Sequence, residues 1–217
     1  YRKVTRKIYD FSPEQQSNLT AIVWLHRGQK DRFLGLVADY LGKMVIEADK
    51  IGAALALFEA NLTECRTASA DFSTAITDVE EVAPESKLAL DNALAELTAS
   101  AQAYVADRGT LVDGISAFLK QYAKAIPADN AGQHKARQGF DAIADQTRGL
   151  VKQVDLLYKQ AARAQQLAVE LAGNEATSEF LDRRATNKRI KQLDEDRRLA
   201  VEQLKGAAYF HRQIAWL

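Results

Sequence analysis

Two clusters of cationic side chains are the residues of this chain best suited to a chemical task. Arg2, Lys3, Arg6 and Lys7 form one near the start, and Arg183, Arg184, Lys188 and Arg189, followed by Lys191, form the other. Lysines and arginines gathered on one face release counterions from a nucleic-acid backbone, so both clusters are candidate phosphate contacts. Each also reads as a solvated helix face, and the second is flanked by Asp182 before it and by Asp194, Glu195 and Asp196 after it. Other chemistry is poorly provided for. His26, His134 and His211 are scattered, and no Glu-x-x-His pair offers the ligand spacing of a metal-holding bundle. Cys65 is the sole cysteine, so it forms no internal disulfide, which fits a reducing compartment. It falls on an apolar helical stripe, where a small buried residue is a simpler reading than a reactive thiol. The residues therefore assign no catalytic, cofactor-binding or metal-ligating position.

The elements that carry these groups are long helices. Only three prolines, Pro13, Pro84 and Pro127, interrupt 217 residues, and the intervals are filled by alanine, leucine, glutamine and charged residues. From Phe33 through Met44, Leu55, Phe58, Leu62, Cys65 and Phe72 to Val79, apolar residues recur three and four apart, broken only at Ser69 in the latter part. The Ser, Thr and Asp residues of 67–74 are compatible with a bend or a break there. A second stripe follows Pro84 through Leu90, Leu97, Tyr104, Leu111, Phe118 and Tyr122, weakened near Arg108, Gly109 and Gly114. A third runs from Phe140 through Leu150, Val154 and Leu157 to Leu171, and Gly173 with Asn174 separates it from a last helix carrying Phe180, Ile190, Leu193, Val201 and Leu204. Short connections require sequence neighbours to run antiparallel. The expected fold is all-α: an elongated antiparallel bundle of four long helices, preceded by a short strand-like segment and a short helix.

Net charge is zero but unevenly placed. Between Glu59 and Asp107, ten acidic residues face only Arg66 and Lys87, a balance that should repel phosphate. No segment has the roughly 18 or more uninterrupted apolar residues of a membrane span, and the opening lacks a signal-like apolar core. A cytoplasmic location with no membrane contact is the expectation.

The first 29 residues, YRKVTRKIYDFSPEQQSNLTAIVWLHRGQ, have the most particular order in the chain. Tyr1 to Tyr9 alternate β-branched or aromatic residues with charge, a strand-like run that opens without methionine and reads as the continuation of something upstream. Ser12, Pro13 and Gln15 make a helix start, with cap, first position and capping-box partner in place, and Gly28 closes the short helix. This run resembles the C-terminal part of the modification (M) subunit of bacterial type I restriction-modification systems, in a pattern of the form KVTRKIxDFSPEQQxNLxAIVxLxRGQ. YFHRQIAWL, at the other end, gives a second echo.

The resemblance implies a parent enzyme that transfers a methyl group from S-adenosylmethionine to adenine in DNA. It implies assembly with a specificity (S) subunit that reads the site and, in the full complex, with a restriction (R) subunit. The family's catalytic core needs a Rossmann-like sheet, a glycine-rich turn and an Asn-Pro-Pro-aromatic motif; none is found in this sequence. Residues 1–29 are then expected to be the junction with a methyltransferase core, and residues 30–217 a helical assembly region without enzymatic activity. Its partner contacts would come from apolar positions near the ends and on the last helix: Trp24, Ile190, Leu193, Val201, Leu204 and Trp216. The other reading is a free-standing coiled-coil scaffold that associates with itself through the seven-residue stripes.

Overall fold

The computed structural model describes residues 30–122 and 130–215. They form four long helices: α1 (Lys30–Ala75), α2 (Pro84–Tyr122), α3 (Asn130–Leu171) and α4 (Arg183–Ala215), with a 3-10 turn at Glu175–Phe180 between the last two. No strand occurs among the described residues. The fold is all-α. The strand-like opening and the short helix expected over 13–27 lie outside the described residues, and so do Arg2, Lys3, Arg6, Lys7, Trp24 and Trp216.

The helix boundaries follow local chemistry. Pro84 takes the first position of α2, where its missing N–H is no loss and its fixed φ suits a helix. Between α3 and the turn, the Asn174 side chain accepts from the N–H of Ala176 at 3.1 Å, and Thr177 Oγ1 donates to the carbonyl of Leu171 at 2.6 Å. Asp182 then caps α4 by accepting from the N–H groups of Arg184 and Ala185 at 2.9 and 3.0 Å. Phe180 therefore belongs to the 3-10 turn rather than to the last helix, because two successive side-chain caps break the chain between them. Val79 likewise lies beyond the end of α1.

The chain divides into two compact units whose boundaries fall inside the helices: Tyr1–Ile51, Asp107–Leu150 and Glu202–Leu217 in the first, Gly52–Ala106 and Val151–Val201 in the second. In the second unit α1 and α2 run antiparallel, fixed by Tyr104 Oη donating to Glu59 at 2.7 Å and Ser73 Oγ donating to Asp91. Phe72, Ile76, Leu90 and Ala93 pack with Ala164, Ala168, Ala172 and Leu181 in one apolar cluster. The bulky side chains come largely from α1 and α2 and the small ones from α3. α1 continues unbroken through 67–74. Thr74 Oγ1 donates back to the Ala70 carbonyl at 2.9 Å, and Ser69 and Ser73 are buried with partners on other helices, so each hydroxyl is satisfied without opening the helix.

In the first unit α2 and α3 meet through Phe118 and Phe140, whose ring centroids are 4.5 Å apart at a tilt of 55°. Gly139 makes room for this contact, since a Cβ there would lie 2.6 Å from the Phe118 ring. On α4, Arg212 pairs with Asp141 and Asp145 of α3.

Candidate functional site

The cationic run on α4 is the only candidate cluster from the sequence that lies within the described residues, and the fold divides it. Arg183 donates from Nη2 to the carbonyl of Ala172 at 2.6 Å, which satisfies an orphan acceptor at the end of α3. Arg189 is half-buried, close enough to Cys65 for its charge to act on that thiol. Arg184 and Lys188, four residues apart, stand exposed on one side of the helix together with Lys191. The N–H groups of Ala185 and Arg184 hold the Asp182 carboxyl below its ordinary range, so a negative charge sits at the head of this run. Of the four residues proposed for phosphate, Arg183, Arg184 and Lys188 are exposed, Arg183 with one bond to the chain's own backbone, and Arg189 is half-buried.

The proposed partner contacts on α4 are placed inwards. Leu193 and Leu204 are fully buried and Val201 is buried, so their apolar surface is covered by the chain's own core; Ile190 is half-buried. The physical reason is that α4 closes the bundle, and its three-four apolar spacing is the face that does so.

A seam of buried polar groups in the second unit was not apparent from the sequence. Gln165 of α3 donates from Nε2 to the Cys65 carbonyl at 2.7 Å and to Ser69 Oγ at 2.9 Å. Asp196 of α4 accepts from Asn61 of α1 and from Gln192 at 3.1 Å. Arg197 reaches Asp155 at 2.9 Å and Asp194 at 2.7 Å, with its guanidinium 4.9 Å from the centre of the Tyr158 ring. The signal available was Ser69 itself, the polar residue interrupting the α1 stripe, but its partner lies 96 residues away.

Cys65 is buried and its thiol is pushed up to about 11 by burial, against a smaller lowering by Arg189, which leaves it a weak nucleophile. His134 is exposed and bonded to Gln138 at 3.1 Å, whereas His211 is buried and lowered by burial to about 4. Among the described residues no group of three His, Cys, Asp or Glu could hold a metal ion, and no helix is long and apolar enough to cross a membrane.

A groove of about 210 Å³ lies between α1 and α2 in the second unit, lined by Glu59, Leu62, Thr63, Arg66, Leu97, Ala101, Tyr104 and Val105. It combines an apolar floor with one carboxylate, one guanidinium and two hydroxyls. No protein-family model, curated protein or solved structure matches this chain.

Proposed function

We propose that this chain is the C-terminal helical assembly region of a type I restriction-modification M subunit, acting by position rather than by chemistry. Its helices would dock the parent S-adenosylmethionine-dependent adenine methyltransferase onto the S subunit, in the cytoplasm, and so set where the catalytic core meets DNA. The R subunit would join the same complex. The observation that carries the reading is the opening run KVTRKIYDFSPEQQSNLTAIVWLHRGQ joined to a body of four long helices. A helical body suits a positioning role, because packed helices offer long ordered surfaces to a partner. On this reading Arg184 and Lys188, both exposed on α4, would meet a phosphate backbone.

Co-purification of the chain with its cognate S subunit is the direct test. A stable stoichiometric complex is expected; an intact S subunit that does not retain the chain would remove the proposal. Methyl transfer from S-adenosylmethionine to DNA by this chain alone would overturn the assignment of a purely positional role.

A further inference from the structure

In the second unit the outward sides of the two hairpins differ in kind. Four of the 22 exposed helical positions on α1 and α2 are charged (Glu64, Asp71, Glu85 and Glu96), against ten of 15 on α3 and α4. Alanine fills half of the uncharged positions on α1 and α2, and Leu57, Leu88 and Val105 are 53, 59 and 62% exposed. A helix that is apolar on both sides is ordinarily covered on both.

The charges beside the groove indicate what covers it. Glu59 and Arg66 both line the groove and stand seven residues, about two turns, apart on α1. Arg66 has no carboxylate partner of its own among the described residues. Glu59 already accepts from Tyr104, and a carboxylate has about four acceptor positions in all. A two-fold axis crossing α1 between residues 62 and 63 would set Glu59 of each copy opposite Arg66 of the other. The Tyr104–Glu59 and Ser73–Asp91 bonds place Ala101 of α2 level with that axis, so the centre of the contact is small. In this register no exposed acid falls level with another: Asp71 falls level with Ala54, Glu96 with Ala106 and Glu64 with Asn61, the two Glu64 standing about 4.5 Å apart along the helix.

We propose that this face of the α1–α2 hairpin pairs with the same face of a second copy of the chain, antiparallel and two-fold symmetric. The groove takes the apolar contact around Ala101 and Val105, and two Glu59–Arg66 bridges fix the register. The hairpin face, about 35 Å long and two helices or roughly 20 Å wide, offers about 700 Å² per copy, close to the ~800 Å² each partner gives a standard interface. The pairing is independent of the assembly role above, since it concerns the chain by itself and its failure leaves association with an S subunit untouched.

Sedimentation of the full 217-residue chain over a wide concentration range tests it. A monomer–dimer equilibrium is expected, with Val105→Asp abolishing the dimer while the far-ultraviolet circular dichroism is unchanged. Arg66→Glu and Glu59→Arg should each weaken self-association by about tenfold or more, since each sets like charges together twice. Mixing the two variants should restore a heterodimer of near-native affinity, because both bridges re-form between them. A chain that stays monomeric overturns the proposal, even if another protein binds this face. So does a dimer indifferent to Val105→Asp, or a mixture no tighter than either variant alone.

Discussion

The α1–α2 and α3–α4 hairpins use helices of comparable length, 46 and 39 residues against 42 and 33, yet they divide the labour of the second unit differently. α1 and α2 contribute the bulky interior side chains, Phe58, Phe72 and Tyr104, and also place Leu57, Leu88 and Val105 outside. α3 contributes Ala161, Ala164 and Ala168 to the interior beside Val154 and Leu157, and α4 adds Leu193, while α3 and α4 together put charge outside. Large against small is a packing solution: alanines let the helices approach and the aromatics fill the space between them. The difference outside is chiefly one of charge: large apolar side chains are exposed on both hairpins, Leu156 and Leu199 on α3 and α4 as well as Leu57, Leu88 and Val105 on α1 and α2, but charge is far denser on α3 and α4.

The strongest way to break this contrast is to remove a bulky member. Phe72→Ala should destabilise the chain by about 3 to 5 kcal/mol in denaturant unfolding, since the alanines facing it cannot extend into the cavity. A loss under about 1 kcal/mol would mean the large-to-small division is not what holds the unit together.

The next effect is on pH. His211 of α4 is buried in its neutral form, with its ordinary pKa of 6.5 lowered to about 4 by burial. The unfolded chain therefore takes up a proton between pH 6.5 and 4 that the folded chain refuses. The stabilisation is fully present above pH 6.5 and is lost as the pH falls towards 4, by roughly 3 kcal/mol over that window. Comparing His211→Leu with the native chain across this range should show a flatter dependence in the variant; parallel curves would show that this histidine is not the acid-sensitive group.

Gln165→Leu should have a smaller effect, about 1 to 3 kcal/mol, because it leaves the Cys65 carbonyl and Ser69 Oγ without the donor they share. A double variant with Ser69→Ala should cost less than the sum of the two single changes. Strict additivity would separate the two residues.

Much of the architecture is legible in the residues. Pro84 marks the start of α2, Gly173 and Asn174 mark the break after α3, and the stripes through Phe58, Leu97, Leu157 and Leu204 are buried as their spacing requires. Phe180 and Val79 were placed in helices by spacing alone and lie outside them, because capping by Asn174 and Asp182 and the turn after Ala75 override periodicity. Leu193, Val201 and Leu204 were candidates for a partner, but a stripe in sequence is the same whether it closes its own bundle or another's. Nothing local reveals that the Arg183 guanidinium meets the Ala172 carbonyl.

The sequence by itself determined the helical class, the start of α2 at Pro84, and the apolar side of each helix, since these depend on residues within a turn or two of each other. Only the tertiary structure decided which polar residues are interior, as with Gln165 beneath Ser69 and Asp196 beside Asn61. It also decided that the two hairpins differ outside as well as inside, because exposure is a property of the packed chain and is not written in the spacing of any one helix.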